Sequence, residues 1–296
     1  REAVADGHGA LPIRTPLGPG ITVSEAMLFY LGLGLASGLL SGLLGIGGGI
    51  IIVPLLYWQF GSLGFPPGLL MVMAVATSLA TIMPTSVSSG LAHHRRGYVH
   101  WPHALRMAPG IVLGAVAGSS LVGGVSATCV KALVALFQIV VAYTLLKPAT
   151  RPSSATPKTP TRREIVLAGC LTGFLSSMVG IGGGTLSVPF LLYLGLGARQ
   201  AVATSSVSGF PIALSSTLTY VITGWQHADL PAWNLGYVHL PAALLIAGAS
   251  ITTAPLGAGL AHRLPTDRLK KILGVLASMV GMKLAGDVLT AALFPF

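Results

Sequence analysis

The chain has 296 residues, of which 53% are hydrophobic and only 8% charged, and its mean hydropathy is +0.80. A soluble globular chain carries about a quarter charged residues, so lipid must solvate most of this surface and no sizeable soluble domain can be cut out. The 17 Lys+Arg against 7 Asp+Glu give a net charge of +10, but the bases sit in short loops between apolar stretches, the positive-inside pattern of a membrane protein rather than a nucleic-acid face.

In chain order, residues 1–21 read as a polar N-terminal tail rich in Gly and Pro, without an apolar stretch of its own. Apolar segments follow near 23–45, 50–60, 67–92, 103–123 and 127–147, and a Pro-, Ser- and Thr-rich linker occupies 148–163. A second set lies near 164–181, 184–195, 199–223, 232–260 and 267–293. The expected organisation is therefore a first membrane repeat over 22–147 and a second over 164–296. Cys129 and Cys170 have no paired spacing and read as packing residues.

The two sets repeat one design. Gly45-Ile46-Gly47-Gly48-Gly49 recurs as Gly180-Ile181-Gly182-Gly183-Gly184, with Pro54 matched by Pro189. Ala74-Val75-Ala76-Thr77-Ser78 recurs as Ala201-Val202-Ala203-Thr204-Ser205, and Tyr98-Val99-His100 as Tyr237-Val238-His239. Lys131 falls opposite Lys270. Matching pieces in the same order make each half one unit of a transporter-type repeat.

Orientation follows from the bases. His93 to Arg96, the linker with Lys147, Arg151, Lys158, Arg162 and Arg163, and the run Arg263 to Lys271 belong on the cytoplasmic side. This assignment requires each Gly-rich segment to enter the membrane and return, as a hairpin with its tip at the glycines. Each half then crosses an odd number of times, so the halves are inverted and both termini face the periplasm. The second hairpin arms are too short for an ordinary span, and re-entrant or strongly tilted arms both fit. The fold class expected is thus all-α and polytopic, two inverted repeats of about five helical segments with Gly-tipped hairpins.

Gly34, Gly38, Gly42 and Gly45 fit a close-packing stripe, since Gly lets neighbouring backbones approach. The blocks Gly47-Gly48-Gly49 and Gly182-Gly183-Gly184 differ: each precedes a new helix, whose first amides lack intrahelical acceptors. Such a helix start carries partial positive charge suited to an anion. Inversion would bring the two tips together near the bilayer midplane. A purely structural hairpin is the competing reading. Bulky substitution at Gly48 or Gly183 is expected to abolish transport in a protein that still folds.

Thr77, Ser78, Thr204 and Ser205 follow the hairpins in apolar surroundings, where a hydroxyl either bonds back to its own helix or donates to a bound oxyanion. Ser88, Ser89, Ser215 and Ser216 are weaker candidates, and Pro84 and Pro211 are expected to break or kink their helices. His100 and His239 read as interfacial anchors together with Trp101 and Tyr237. Acids are few: Glu25 and Glu164 start segments, and Asp287 follows Lys283 by one helical turn. A central carboxylate relay of the kind that pumps use is not evident, which favours an anion over a cation as substrate. No catalytic constellation, metal site, nucleotide-binding loop or cofactor motif stands out, so an enzyme is not expected. A channel or uniporter for another small solute or cation is the alternative, and a membrane enzyme or assembly factor is a third.

Gly38 through Pro54 and Gly173 through Pro189, each with the Ala-Thr-Ser element that follows, resemble the sulfite exporter TauE/SafE family of bacterial membrane transporters, a likeness that runs from about Ile21 through nearly all of the remaining chain. The resemblance implies movement of sulfite, a sulfonate or a related organosulfur acid across the bacterial inner membrane, apparently without an ATPase. It fixes neither the substrate, nor import against export, nor a coupling proton or ion, nor the oligomeric state.

Overall fold

The computed structural model describes residues 23–122, 124–147, 160–225, 227, 229–261 and 266–293. The N-terminal tail, linker residues 148–159 and the base Arg263 lie outside the described residues, as does the side chain of Lys270. Ten helices make up almost all of what is described: α1 (Val23–Leu44), α2 (Gly49–Ser62), α3 (Leu70–Arg95), α4 (Trp101–Val122), α5 (Ala127–Leu146), α6 (Arg162–Val179), α7 (Gly184–Tyr193), α8 (Ala198–Gly224), α9 (Leu240–Leu260) and α10 (Thr266–Leu293).

Six of them, α1, α3, α4, α5, α9 and α10, are long and apolar enough to cross a membrane. Their outer faces carry exposed Leu28, Leu105, Leu113 and Leu244, side chains that need hydrocarbon around them. The chain is a multi-pass helical membrane protein. Its interior is organised around α3 and α8, which pack against each other.

Small residues decide which helices touch. Along α1, Gly34, Gly38 and Gly42 recur every four residues and so share one face; they abut Ala249, Ser250 and Ala254 of α9 in rising order, so these helices run parallel. Gly110, Gly114 and Gly118 of α4 do the same against Val166, Cys170 and Phe174 of α6. A glycine face lets helix backbones meet directly, which supplies the dispersion contact that hydrophobic exclusion cannot supply in lipid. Helices α5 and α10 pair antiparallel, with Gly274 against Leu146 and Gly281 against Ile139 and Ala135.

Three features differ from the sequence-based expectation. The segment expected from 232 begins as a helix only at Leu240; before it, Asn234–Leu235 (β1) and Val238–His239 (β2) form a small antiparallel hairpin, which Gly236 turns at φ 56°. Of the break or kink expected at Pro84 and Pro211, the break does not occur, since α3 and α8 continue through both residues. His93 is not a solvated loop base: it is fully buried in α3, with Nε2 3.0 Å from the carbonyl oxygen of Gly42 in α1.

Candidate functional site

Both Gly-rich segments are sharp reversals between helices. Gly45, Gly47 and Gly48 have φ of 68°, 79° and 73°, and Gly180 and Gly183 each have φ of 79°. Side chains are disfavoured in this left-handed region by roughly 1–2 kcal/mol per residue, so glycine is what permits α1 to stop and α2 to start within four residues. Gly48 and Gly183 are the residues immediately before α2 and α7, and neither helix start has a side-chain cap. The returning helices have 14 and 10 residues, or about 21 and 15 Å at 1.5 Å per residue, so each falls short of a span.

The tips meet. A Cβ on Gly47 would lie 2.8 Å from Cα of Gly182, and one on Gly182 2.9 Å from Cα of Gly47. Gly49 abuts the carbonyl of Gly180, and Gly184 abuts that of Gly45. All these glycines are buried, and Ile82 of α3 covers the junction. The amides of Gly47, Gly48, Gly182 and Gly183 donate to no acceptor among the described residues. A buried amide without an acceptor is costly in an apolar interior, and here four occur at one junction.

The hydroxyls after each hairpin tie one half to the other. Ser78 Oγ donates to the carbonyl of Gly180 at 2.8 Å, and Ser205 Oγ to that of Gly45 at 3.1 Å. Thr77 Oγ1 accepts from the amide of His239 at 3.0 Å, and Thr204 Oγ1 from that of His100 at 2.9 Å. None of the four is exposed. These bonds leave their own helices and cross the repeat, so the four side chains act as reciprocal latches between the halves. Of the weaker candidates, Ser88 donates to the carbonyl of Ile251, Ser215 bonds within α8, Ser89 bonds within α3 and Ser216 Oγ is buried without a partner.

Two serines belong to the site without having been singled out from the sequence. Ser187 Oγ lies 2.8 Å from Ser205 Oγ and 2.9 Å from the carbonyl of Gly183; its repeat counterpart is Ile52, so no duplication flagged it. Ser176 is fully buried, its Oγ has no partner, and it lies 3.5 Å from where a Cβ on Gly183 would stand. The repeat alignment pairs Ser176 with Ser41, a signal the sequence did contain.

Gly48 and Gly183 prove to be poor probes of a ligand site. A Cβ on Gly48 would lie 2.8 Å from the carbonyl oxygen of Ser37, one on Gly183 would strike Ile212, and both positions have positive φ. Bulky residues there strain the fold before they meet any substrate. The anchoring role expected of His239 also changes: it is buried against Phe60 and Phe65, with Nδ1 2.8 Å from Asn234 Oδ1. His100 instead places Nδ1 2.6 Å from that of His103. Among the described residues, no group of three or more His, Cys, Asp or Glu could hold a metal ion.

A multi-pass helical bundle whose two Gly-tipped hairpins abut in its interior is an arrangement of the kind that membrane transporters use. The profile of the sulfite exporter TauE/SafE family matches residues 30–284. The chain belongs to that family and is a membrane transporter of it. It is 35% identical over 245 residues to a probable membrane transporter protein of Haemophilus influenzae, covering 83% of this chain and 92% of that one. A probable membrane transporter protein of Methanocaldococcus jannaschii is 28% identical over 250 residues, 84% of this chain and 91% of the relative. The probable membrane transporter protein YunE of Bacillus subtilis is 28% identical over 270 residues, 85% and 94% of the two chains. No solved structure matches the chain.

Proposed function

We propose that this transporter moves a small sulfur-containing oxyanion, sulfite or a sulfonate, by alternating access, and that the anion is held between the two Gly tips. The carrying observation is the cluster of buried amides on Gly47, Gly48, Gly182 and Gly183 that have no acceptor among the described residues. Amides at helix starts, with Gly49 and Gly184 as first helical residues, suit a negatively charged oxygen, and a region without carboxylates does not suit a cation. The family description supports sulfite as a member of the substrate class.

The abutting tips are then a closed conformation. Separation of the tips breaks the bonds from Ser78 to Gly180 and from Ser205 to Gly45, and frees both hydroxyls to donate to the oxygens of an arriving anion. Thr77 and Thr204 hold the adjoining chain, and Ser176 supplies a further donor beside Gly183. The anion's oxygens then replace the Gly180 and Gly45 carbonyls as acceptors for the two hydroxyls, which offsets the donor side of the cost of opening.

Inverted halves, with residues 22–147 as the first and 164–296 as the second, are part of this reading. They are supported by the parallel pairing of α1 with α9 and of α4 with α6, each first helix lying along the fourth helix of the other half. The contact of Arg96 with Gly259, in the last turn of α9, supports putting the basic stretch that follows α9 on the side of Arg96, which is read as cytoplasmic in a bacterial inner membrane with both termini outside.

The test is thermal stabilisation of the purified, detergent-solubilised chain against sulfite, sulfate, sulfonates, carboxylates and cations, because a ligand of the folded state raises apparent stability by mass action. A shift confined to sulfite or sulfonates, lost in Ser176→Ala with Ser78→Ala, supports the reading. A response only to cations or neutral solutes overturns it.

A further inference from the structure

A pair of basic side chains lies away from the tips. Parallel packing sets the N-terminal ends of α4 and α6 side by side, and between them is an open groove of about 590 Å³. Arg106 and Arg162 both line it, with Leu105, Pro109, Val166 and Pro160 among its walls. Two guanidinium groups therefore share one concavity whose remaining surface is largely apolar.

Neither arginine has a hydrogen-bond or ion-pair partner among the described residues. Glu164, which falls between the lining residues Arg162 and Ile165 in the first turn of α6, uses Oε2 to accept from the amide of Thr161 at 2.8 Å in a capping box. The adjoining stretch 148–161 contains Arg151 and Lys158 and no Asp or Glu, so it offers no counter-charge. Like charges held in one groove repel, and the start of each helix adds partial positive charge. Both arginines are exposed at the mouth of the groove, where an external anion can reach them.

The form of that anion follows from depth and surroundings. Arg106 is five residues into α4, about 8 Å along its axis from Trp101. Trp101 is 40% exposed and donates from Nε1 to His94 Nδ1 at 3.1 Å, the placement of an interfacial aromatic. Leu105 is 65% and nearby Leu167 68% exposed, so the surface beside the groove is made for hydrocarbon. A soluble anion would leave these walls in water. A lipid satisfies both parts, with its phosphate between the guanidinium forks and its chains along the leucines.

We propose that this groove binds the phosphodiester headgroup of an anionic phospholipid, bridged by Arg106 and Arg162. The lipid lies across the α4/α6 seam, where the two halves of the chain meet, and so fastens one half to the other independently of the transported substrate. Basic pockets between membrane helices are suited to such headgroups.

The experiment uses the full chain in mild detergent, titrated with phosphatidylglycerol, phosphatidylcholine of the same acyl chains, and inorganic phosphate, with thermal melts and native mass spectrometry as readouts. Phosphatidylglycerol is expected to raise the melting temperature and to remain as a bound adduct, whereas phosphatidylcholine and phosphate are not. In R106Q/R162Q the lipid should bind on the order of tenfold more weakly, while R106K/R162K retains the headgroup preference. The lipid-free melting temperatures of both variants establish that they fold, and single variants with half the loss substitute if the double variant does not. Equal binding of the two lipids, an undiminished phosphatidylglycerol response in R106Q/R162Q, or reproduction of the shift by phosphate alone overturns the proposal.

Discussion

The hydroxyl of Ser78, in α3 of the first half, donates at 2.8 Å to the carbonyl of Gly180, at the hairpin tip of the second. Its repeat counterpart Ser205 donates to Gly45. Each tip is thus held by a helix of the other half, and the glycine carbonyls depend on these donors because the reversal leaves them outside both helices. Ser78→Ala strands a buried acceptor, at a cost of about 1–3 kcal/mol. The expected result is a lowered melting temperature for Ser78→Ala and Ser205→Ala alike, together with loss of transport in proteoliposomes. Unchanged melting temperatures in both variants would remove the latch from the account.

The junction of Gly47 with Gly182 separates two kinds of glycine requirement. Gly182 has no positive φ, but its Cβ would meet Gly47 Cα at 2.9 Å; Gly47 carries the same contact and a φ of 79° besides. Gly182→Ala should therefore lower stability through tip separation alone, and Gly47→Ala by roughly 1–2 kcal/mol more through the left-handed backbone. Denaturation of both variants and of the double variant measures this. Equal losses would mean that backbone conformation plays no part.

Much of the fold was legible in the sequence because lipid makes its demands locally. Apolar length gave the helices, and the duplicated GIGGG blocks marked the reversals, since a run of glycines before an apolar helix has few uses. The hairpin before α9 was less legible: Tyr237-Val238-His239 continues an apolar pattern, and only Asn234 and Gly236 signal a turn. The latches were hidden for a different reason. A buried Ser reads the same whether it bonds to its own helix, to a ligand or to a distant carbonyl, and Gly180 lies 102 positions from Ser78. Close approach between halves is a tertiary property, and one sequence contains the residues but not their partners.

The glycine stripe on α1 offers a controlled contrast. Gly38 abuts Ser250 and Thr253 of α9, whereas a Cβ on Gly32, in the same helix, meets nothing within 4 Å. Gly38→Leu should force α1 and α9 apart and sharply reduce the yield of folded protein, because overpacking displaces backbone rather than a flexible side chain. Gly32→Leu, which faces hydrocarbon, should leave yield and melting temperature near those of the parent. Size-exclusion profiles of the two variants make the comparison, and similar behaviour would count against the helix pairing.

His239, in the residue before α9, gives the stability a pH dependence of defined sign. Burial among Phe60 and Phe65 pushes its pKa down from 6.5 to about 4, and its bond to Asn234 Oδ1 is one the neutral ring makes with the proton on Nδ1. Above pH 6.5 the ring is neutral in the folded and unfolded chain alike, and its burial has no protonation cost. As the pH falls from about 6.5 towards 4, the unfolded chain takes up a proton that the folded chain refuses, so stability declines across that window. The linkage amounts to on the order of 3 kcal/mol when the full interval is crossed. Thermal melts at pH 7.5 and pH 5 should therefore differ more for the parent than for His239→Gln, which retains a polar group beside Asn234 but does not titrate. An equal acid sensitivity in the two proteins would assign the loss to other groups and leave His239 as a packing residue between α9 and the aromatic pair.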